Sequence, residues 1–343
     1  MRFGIIGLRH FHVHDMIAGM RTVPGVEVAA IAEPDDDVFA REGSRYGLPR
    51  YRDWREMLER EKLHALGVVN IPGERASVVA ECLRRGIHVL CDKPAAIDRA
   101  GLSMLRQAND LGRAILFPFF TVRYEPPVAT AKRLVDEGRL GRLVSFTSFR
   151  PHKLLPSIRA DWFWRRAGYG GVLVDLGIHD VDVFLWLSGA QVREVYASHA
   201  NVACPGRAEF EDIAHMMIRA DDPDIVGFFR TDWLTPDAEP AHGDCRYFLV
   251  GTEGTAEVRT TGGLPLSGAD GGCVRLVTRT APPGDIPPIP PGRTIFEDFA
   301  RAAAGEPAAI TARELFDANG LVLAGRESAD QGVVVITSPA GRR

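Results

Sequence analysis

The chain opens with MRFGIIGLRHFHVHDMIAGM at residues 1–20, where an apolar run leads through Gly7 into a segment of helical periodicity. A strand that turns at a glycine into a helix is the first unit of a doubly wound α/β domain. Downstream, continuous apolar runs keep alternating with helical patterns, which is typical of a parallel sheet covered on both faces. We therefore predict an N-terminal doubly wound parallel sheet over residues 1–121. Its strands are predicted at residues 2–6, 26–32, 65–71, 88–91 and 114–117, and its helices at residues 10–20, 38–46, 54–60, 74–85 and 98–111.

The pattern changes near residue 120, where longer alternating segments with turn signals begin. Such segments predict a C-terminal α+β domain, residues 122–343, built on a large mostly antiparallel sheet. Residues 281–292 hold six prolines, so we expect an extended connector there. Two helices follow, the second starting at Thr311 with Glu314 as its capping-box partner, and the notion that these helices pack back on the first domain stays open. The strands are predicted at residues 143–150, 192–200, 212–219, 225–231, 246–250, 256–259 and 274–278, and the helices at residues 126–137 and 175–187.

Composition excludes several classes of protein. The chain has 343 residues, 45% hydrophobic and 25% charged, which fits about two globular domains and excludes a mainly disordered chain. No apolar run approaches the roughly 18 residues that span a bilayer, and no basic stripe indicates nucleic-acid binding. The five cysteines are scattered without CxxC spacing, so a disulfide framework is not expected. The start of the chain has no signal-peptide pattern, and we expect a cytoplasmic protein.

The turn after the first strand has the position of a nucleotide-binding loop, with the pyrophosphate at the helix N-terminus. Only the first of the three usual glycines, Gly7, is present, and Arg9 and His12 stand at the other two places. The next predicted strand ends in Glu33, 21 residues after His12, where an acid typically binds the adenine ribose hydroxyls. The alternative is a plain tight turn followed by a solvated glutamate. An acid there favours NAD over NADP, since the nearest downstream arginine is Arg41, although Arg9 could reduce the preference.

Three histidines near this turn raise the question of a metal. His10 and His14 share one helical face, whereas His12 points about 200° away. Zinc needs three or four ligands that converge on one point, so we expect no metal.

Two further stretches carry candidate chemistry. The predicted strand 88–91 ends in Asp92-Lys93-Pro94, and the carboxyl end of a parallel strand is where such sheets bind ligands. Farther on, Asp175 and His179 share a helical face, and an acid beside a histidine favours a general base. The alternatives are a surface lysine before a turn, and a capping aspartate with a core histidine.

With these motifs the sequence resembles the Gfo/Idh/MocA family of NAD(P)-dependent oxidoreductases. The family's EKP motif is matched by residues 92–94, with Asp92 in place of glutamate. Where members more often have Thr-Pro, this chain has Asn70-Ile71-Pro72. The family's second motif is matched without a gap by Gly170, Gly171, Asp175, Gly177, His179 and Asp182. The resemblance implies a Rossmann domain followed by an α+β substrate domain.

The resemblance implies a role for each of three residues. His179 moves the proton of the substrate hydroxyl, Lys93 holds that hydroxyl and the nicotinamide ribose, and Asp175 binds a neighbouring hydroxyl and orients His179. From the motifs and the resemblance together, we expect cofactor contacts from Gly7, Arg9, His10, Phe11, His12, Glu33, Asn70, Pro72, Asp92 and Lys93, and substrate contacts from Lys93, Arg123, His152, Trp162, Arg165, Asp175 and His179.

The resulting functional hypothesis is an oxidoreductase that moves a hydride between NAD and a carbon of a sugar, sugar acid or cyclitol. One alternative is a relative that keeps NAD bound and uses transient oxidation for glycoside hydrolysis or elimination. Another is a non-catalytic sugar or dinucleotide sensor. We also expect a homodimer or homotetramer formed through the open face of the second sheet, because soluble monomers rarely leave a broad apolar face exposed.

Overall fold

The computed structural model describes residues 1–222, 224–260 and 272–337. The chain divides into two compact units, each built around its own β-sheet. The first unit comprises Met1–Phe119, Ala167–Gly170 and Arg293–Asn319, and the second comprises Phe120–Arg166, Gly171–Gly292 and Gly320–Arg343. Among the described helices, none has the length and apolar content that crossing a membrane requires.

The sheet of the first unit has six strands, all parallel, in the order 3-2-1-4-5-6. This order confirms the predicted doubly wound sheet, because the chain starts at the centre and winds outward twice. The third strand was not predicted, because it has only two residues and so shows no periodicity. The strands are β1 (Arg2–Ile6), β2 (Glu27–Ala32), β3 (Arg50–Tyr51), β4 (Ala65–Val68), β5 (His88–Cys91) and β6 (Leu116–Pro118).

Helices cover this sheet close to the predicted positions, with one exception. The predicted helix 38–46 is instead a short α-turn followed by a π-helical segment, Phe39–Gly43, and a 3₁₀ segment, Ser44–Tyr46. The last of these ends at Gly47, whose φ of +63° suits a glycine and ends the helix. The helices are α1 (His12–Thr22), α2 (Asp36–Val38), α3 (Trp54–Arg60), α4 (Pro72–Arg84) and α5 (Arg99–Asn109).

The second sheet has nine strands in the order β14-β13-β12-β11-β7-β10-β9-β8-β15. Its neighbouring strands are antiparallel except for the parallel pair β7 and β10, which confirms a mostly antiparallel sheet. The strands are β7 (Leu143–Pro151), β8 (Gln191–Ala200), β9 (Ile213–Asp222), β10 (Asp224–Asp232), β11 (Arg246–Gly251), β12 (Gly254–Arg259), β13 (Cys273–Thr278), β14 (Gly284–Ile286) and β15 (Val335–Ile336).

Helix packing on one face of the second sheet creates its core. The rings of Phe146, Phe184 and Phe229 lie 5.6–5.8 Å apart, joining strands β7 and β10 to a helix.

The predicted capping box is present, since the Thr311 N–H donates to Glu314 at 2.8 Å and the Glu314 N–H donates to the Thr311 hydroxyl. The remaining helices are α6 (Pro126–Asp136), α7 (Arg166–Tyr169), α8 (Ile178–Ser188), α9 (Ile295–Ala303) and α10 (Ala312–Gln331).

Candidate active site

The turn between β1 and α1 requires glycine at residue 7. Gly7 has a φ of +84°, and its N–H donates to the carbonyl of Ala32 at 2.8 Å. A Cβ atom at this position would lie 2.4 Å from the Cα of Asn70, on the neighbouring strand-end loop. Both the backbone conformation and the close approach therefore exclude a larger residue. Of the three usual glycine positions, this one is indispensable to the fold.

Glu33 closes the end of β2 and is fully buried. Its Oε2 accepts the N–H of Leu8 at 3.0 Å, and its Oε1 accepts the Arg9 guanidinium at 2.7 Å and the N–H of Asp35 at 3.0 Å. Arg9 also lies 3.4 Å from the Asp35 carboxylate. The side chain that replaces the second glycine thus holds the acid that was predicted to face the ribose. Glu33 is therefore buried and not solvated, unlike the glutamate of the alternative considered from the sequence.

A cleft of about 170 Å³ opens at the ends of these strands. Asn70 is 8% exposed, and its Oδ1 has no hydrogen-bond donor within the described part of the chain. A buried acceptor without a partner is costly, so this atom is suited to a ligand donor. The lining residues are Ile6, Gly7, Arg9, Ala32, Glu33, Pro34, Arg52, Trp54, Asn70, Ile71, Glu74 and Val78.

Two arginines of the segment after Glu33 lie near the cleft, although Arg41 is nearer in the sequence. Arg52, beside β3, lines the cleft, and Arg50 donates to the carbonyl of Glu33 at 2.9 Å, whereas Arg41 is exposed and pairs with Glu42. Arg52 bonds the Asp36 carboxylate at 2.6 Å. The pairing of β3 with β2 brings this arginine to the cleft, and that pairing was invisible in the sequence.

His12 and Asp92 form a buried pair across the ends of β1 and β5. Nδ1 of His12 lies 2.8 Å from Oδ1 of Asp92, and Arg75 donates to Oδ2 at 3.3 Å. Burial by itself would raise the pKa of the Asp92 carboxyl, but His12 and the Arg75 guanidinium outweigh it and hold that pKa far below its usual range. Since the ionised carboxylate can only accept, Nδ1 of His12 carries the proton.

His10 completes a cluster with this pair. His10, His12 and Asp92 each offer a ligand atom within 4.8 Å of the others. Nδ1 of His10 accepts the His12 N–H at 3.3 Å, and burial, with His12 nearby, holds the pKa of His10 well below its usual value. The helical-face argument, which set His12 apart from His10, is wrong here, because α1 begins only at His12 and the two imidazoles converge. That no metal binds at this cluster stays a prediction.

Three other predicted cofactor residues lie at the same end of the first sheet. Lys93 directly follows Asp92 after β5 and is 4% exposed. Pro72 begins α4 and is buried, whereas Phe11 precedes α1 and is 57% exposed, with its ring 4.3 Å from that of His10. The first unit thus brings all ten predicted cofactor residues to the carboxyl ends of its parallel strands.

The second unit holds the other two predicted catalytic residues. Asp175 lies in a π-helical turn, Leu173–Gly177, and His179 lies in the first turn of α8, which follows without a break. Both side chains are buried, at 7% and 6% exposure. The predicted helix is therefore present, but its first turn is wider than an α-turn, a feature common at functional sites.

Helix α8 also carries two buried ion pairs that the sequence analysis did not predict. Asp182 accepts Nε of Arg123 at 2.8 Å and a second guanidinium nitrogen at 2.5 Å. Asp180 accepts Nε of Arg150 at 2.8 Å. Arg123 was predicted to bind substrate. Its bidentate pairing with Asp182 instead favours a structural role. A sequence signal existed in the two aspartates on an otherwise apolar helix, but it did not identify the partners.

The remaining predicted substrate residues lie on connections near β7. His152 follows β7, and its Nδ1 donates to the carbonyl of Pro151 at 2.7 Å. Its ring packs 5.8 Å from that of Trp233, a residue the sequence analysis did not select. Trp162 lies in a 3₁₀ segment, Asp161–Trp164, and Arg165 directly follows it and is exposed.

Comparison with known proteins defines the class. Residues 1–116 match the NAD-binding Rossmann-fold domain of the GFO/IDH/MocA oxidoreductase family, and residues 128–257 match the C-terminal domain of the same family. The chain belongs to this family, as its motifs predicted.

Individual relatives are more distant. Inositol 2-dehydrogenase of Rubrobacter xylanophilus is 27% identical over 53% of this chain and 50% of its own length. The chain thus matches about half the length of this curated relative. A structure described as an oxidoreductase from Thermotoga maritima is 27% identical, with a TM-score of 0.88 over 98% of this chain and 100% of that one. One from Erwinia carotovora atroseptica is 29% identical, with the same TM-score over 96% and 98%.

Proposed function

We propose that the protein is a cytoplasmic NAD-dependent dehydrogenase that acts on a CH–OH group of a sugar, sugar acid or cyclitol. The supporting observation is the first sheet, where Gly7 and Glu33 stand at the carboxyl ends of β1 and β2 beside a cleft. Membership of the family and likeness to an inositol 2-dehydrogenase support the substrate class.

The cleft residues fit a dinucleotide. Oδ1 of Asn70, which has no donor among the residues that the structure describes, offers an acceptor to it, and the turn at Gly7 would let the backbone approach the pyrophosphate at the start of α1. Among the described residues, Oε2 of Glu33 accepts the Leu8 N–H alone, whereas Oε1 accepts from Arg9 and Asp35, and the second lone pair of Oε2 is the proposed acceptor for a ribose hydroxyl. Phe11, His10 and Pro72 complete the proposed cofactor contacts.

The same geometry supports NAD over NADP. A 2′-phosphate would approach the carboxylates of Glu33 and Asp35, and like charges side by side disfavour binding. Arg9 cannot offset this fully, because both of those carboxylates already share its guanidinium. Arg52 is likewise paired, with Asp36.

Three side chains are proposed to transfer the substrate proton or to position the groups that do so. When bound, the nicotinamide ring takes up or releases the hydride. We assign His179 as the group that removes the hydroxyl proton during oxidation and returns it during reduction. Lys93 places a positive charge at the substrate oxygen, which lowers the pKa of the hydroxyl, and Asp175 binds a neighbouring hydroxyl and orients His179. His152, Trp162 and Arg165 are the proposed contacts with the rest of the substrate.

Variants of the two proton-handling residues test this assignment. Lys93→Ala and His179→Ala should each lower kcat by about 10²–10⁴, the usual contribution of a positioned acid–base group. NADH affinity should survive His179→Ala, since that residue acts at the reacting carbon. Retention of more than a third of wild-type kcat/KM by His179→Ala would contradict the assignment.

A panel of polyols, sugars and sugar acids, followed at 340 nm with free NAD, distinguishes the alternatives. Net NADH formation supports the dehydrogenase. Hydrolysis or elimination without net NADH supports the relative that keeps NAD bound, and binding without turnover supports a sensor.

We also propose that the protein is a homodimer or homotetramer. On the second sheet, Tyr196, Met217 and Phe228 lie opposite one another on β8, β9 and β10, at 44%, 41% and 45% exposure. Such a row of large apolar side chains is typical of an interface. A second copy of the chain would bury it.

A further inference from the structure

His179 is followed on α8 by two buried carboxylates, and each meets an arginine from another element. Arg150, on the central strand β7, bonds Asp180, and Arg123, before α6, bonds Asp182. All four charged side chains are at most 5% exposed. The turn that carries His179 is thus attached to its surroundings on one side by Arg150 and on the other by Arg123.

The pair formed by Arg150 and Asp180 is incompletely hydrogen bonded. Oδ1 of Asp180 accepts both Nε of Arg150 at 2.8 Å and the Tyr247 hydroxyl at 2.9 Å. Oδ2 of Asp180 has no donor within residues that the structure describes, and neither the Ser148 nor the Thr231 hydroxyl has a partner there. Strand register places these two hydroxyls beside Arg150, since Thr231 pairs with Arg150 and Ser148 lies two residues before it.

Such an arrangement is a poor way to stabilise a fold. Removing two charges from water costs more than their attraction returns unless every remaining polar atom is satisfied. Here one carboxylate oxygen and two hydroxyls remain unsatisfied by the described protein atoms. Apolar residues of similar volume would pack the same space at no loss of stability. The pair is therefore expected to affect the direction of the attached turn more than the free energy of unfolding.

The position of the pair matches that expectation. Asp180 is the residue after His179 and lies in the first turn of α8. Helix α8 begins directly after the wider π-helical turn that carries Asp175. A π-helical turn within a helix is rare and frequently lies at a functional site. The bond from Asp180 to the central strand of the sheet holds the helix just after this turn.

We propose that Arg150 and Asp180 are positioning residues for the reaction, which fix the rotation of the first turn of α8 and so aim the His179 imidazole at the substrate hydroxyl. This inference rests on the role proposed above for His179. Neither residue touches substrate or cofactor in this assignment.

A double variant, Arg150→Met with Asp180→Leu, tests the proposal. It removes both charges together, so that neither is left buried alone. We expect a melting temperature equal to or above that of the wild type, and NADH affinity within about twofold. We expect kcat to fall at least about tenfold while KM for the substrate changes less than about threefold, because orientation acts on the chemical step.

Two milder variants grade the effect. Arg150→Lys keeps a positive charge beside the Asp180 carboxylate, so its kcat should be higher than that of the double variant. Tyr247→Phe removes the hydroxyl that donates to Oδ1 of Asp180 and accepts from the Arg150 guanidinium, but it leaves the pair itself, so its kcat should fall only a few-fold. As a matched control, Arg293→Met with Asp298→Leu removes another pair with a buried carboxylate, at the start of α9, and should leave kcat unchanged.

The outcomes separate this inference from the proposed function. A double variant that fails to fold, or that folds and keeps wild-type kcat, overturns the positioning role. If His179→Ala remains active, the role of His179 fails first. If His179→Ala is inactive and the double variant is fully active, only the positioning role fails.

Discussion

Replacing Glu33 by glutamine should relax the choice of cofactor. Glu33→Gln keeps the shape of the side chain and its acceptor for the Leu8 N–H, but removes the negative charge at the end of β2. We expect wild-type protein to bind NADH at least about tenfold more tightly than NADPH. In Glu33→Gln, NADPH affinity should rise about tenfold or more, while NADH affinity should change less than about threefold.

The magnitude follows from the charges around the cleft. Two unit charges 4 Å apart near a protein surface repel by about 4 kcal/mol. Arg9 lies 2.7 Å from Glu33 and also pairs with Asp35, so its positive charge offsets part of the repulsion between these carboxylates and a 2′-phosphate. A remainder of about 1.4 kcal/mol corresponds to the tenfold preference. The substitution both removes one like charge and releases Arg9 toward the 2′-phosphate.

Calorimetric titration of cofactor-free protein with NADH and with NADPH measures both affinities. The matched control is Glu27→Gln, which makes the same change at the opposite end of β2, where Glu27 pairs with Arg2. The control should leave the ratio of the two affinities at its wild-type value. Equal affinities in the wild type, or an unchanged ratio in Glu33→Gln, would show that Glu33 does not face the ribose.

Three further predictions concern the turn, the histidine cluster and the sheet face. Gly7→Ala should abolish measurable NADH binding and lower the melting temperature, because its Cβ would lie 2.4 Å from Asn70; wild-type binding would contradict the geometry. His10 has a pKa well below its unfolded value of 6.5, so the folded state binds fewer protons and loses stability as pH falls below about 6.5. The melting temperature of His10→Gln should therefore fall less between pH 7.5 and 5.5 than that of the wild type, and an equal fall in both proteins would refute this. Phe228→Asp should give the 37.6 kDa monomer by light scattering while wild type gives a multiple of it; a monomeric wild type would refute the proposed interface.

Local signals were sufficient for most of the fold. Strands β1 and β5 were predicted at their observed bounds because each is a continuous apolar run that ends at a glycine or an aspartate. The motif around Asp175 and His179 needed only spacing along one helix. By contrast, β3 has two residues, and only its pairing with β2 makes it a strand.

Pairings between distant residues account for what the sequence could not predict. Arg150 and Asp180 are 30 residues apart on different elements, and their contact depends on how α8 packs on β7. Arg52 reaches the cleft only through the register of β3. In the sequence Arg75 is indistinguishable from the other charged residues of α4, yet it is 1% exposed and donates to Asp92. Each of these is a tertiary contact with no periodic trace in the chain.

The two edges of the second sheet have a consequence for how the protein behaves at high concentration. One edge strand, β14, has three residues with prolines on both sides, and the other, β15, has two residues. A foreign strand needs a row of unpaired backbone N–H and C=O groups to attach, and prolines and very short strands offer few. Sideways growth of the sheet, the first step toward amyloid-like fibrils, is therefore obstructed at the β14 end. At the other end β15 pairs with only Glu194 and Val195 of the ten-residue β8, so that edge is the one at which another strand would attach.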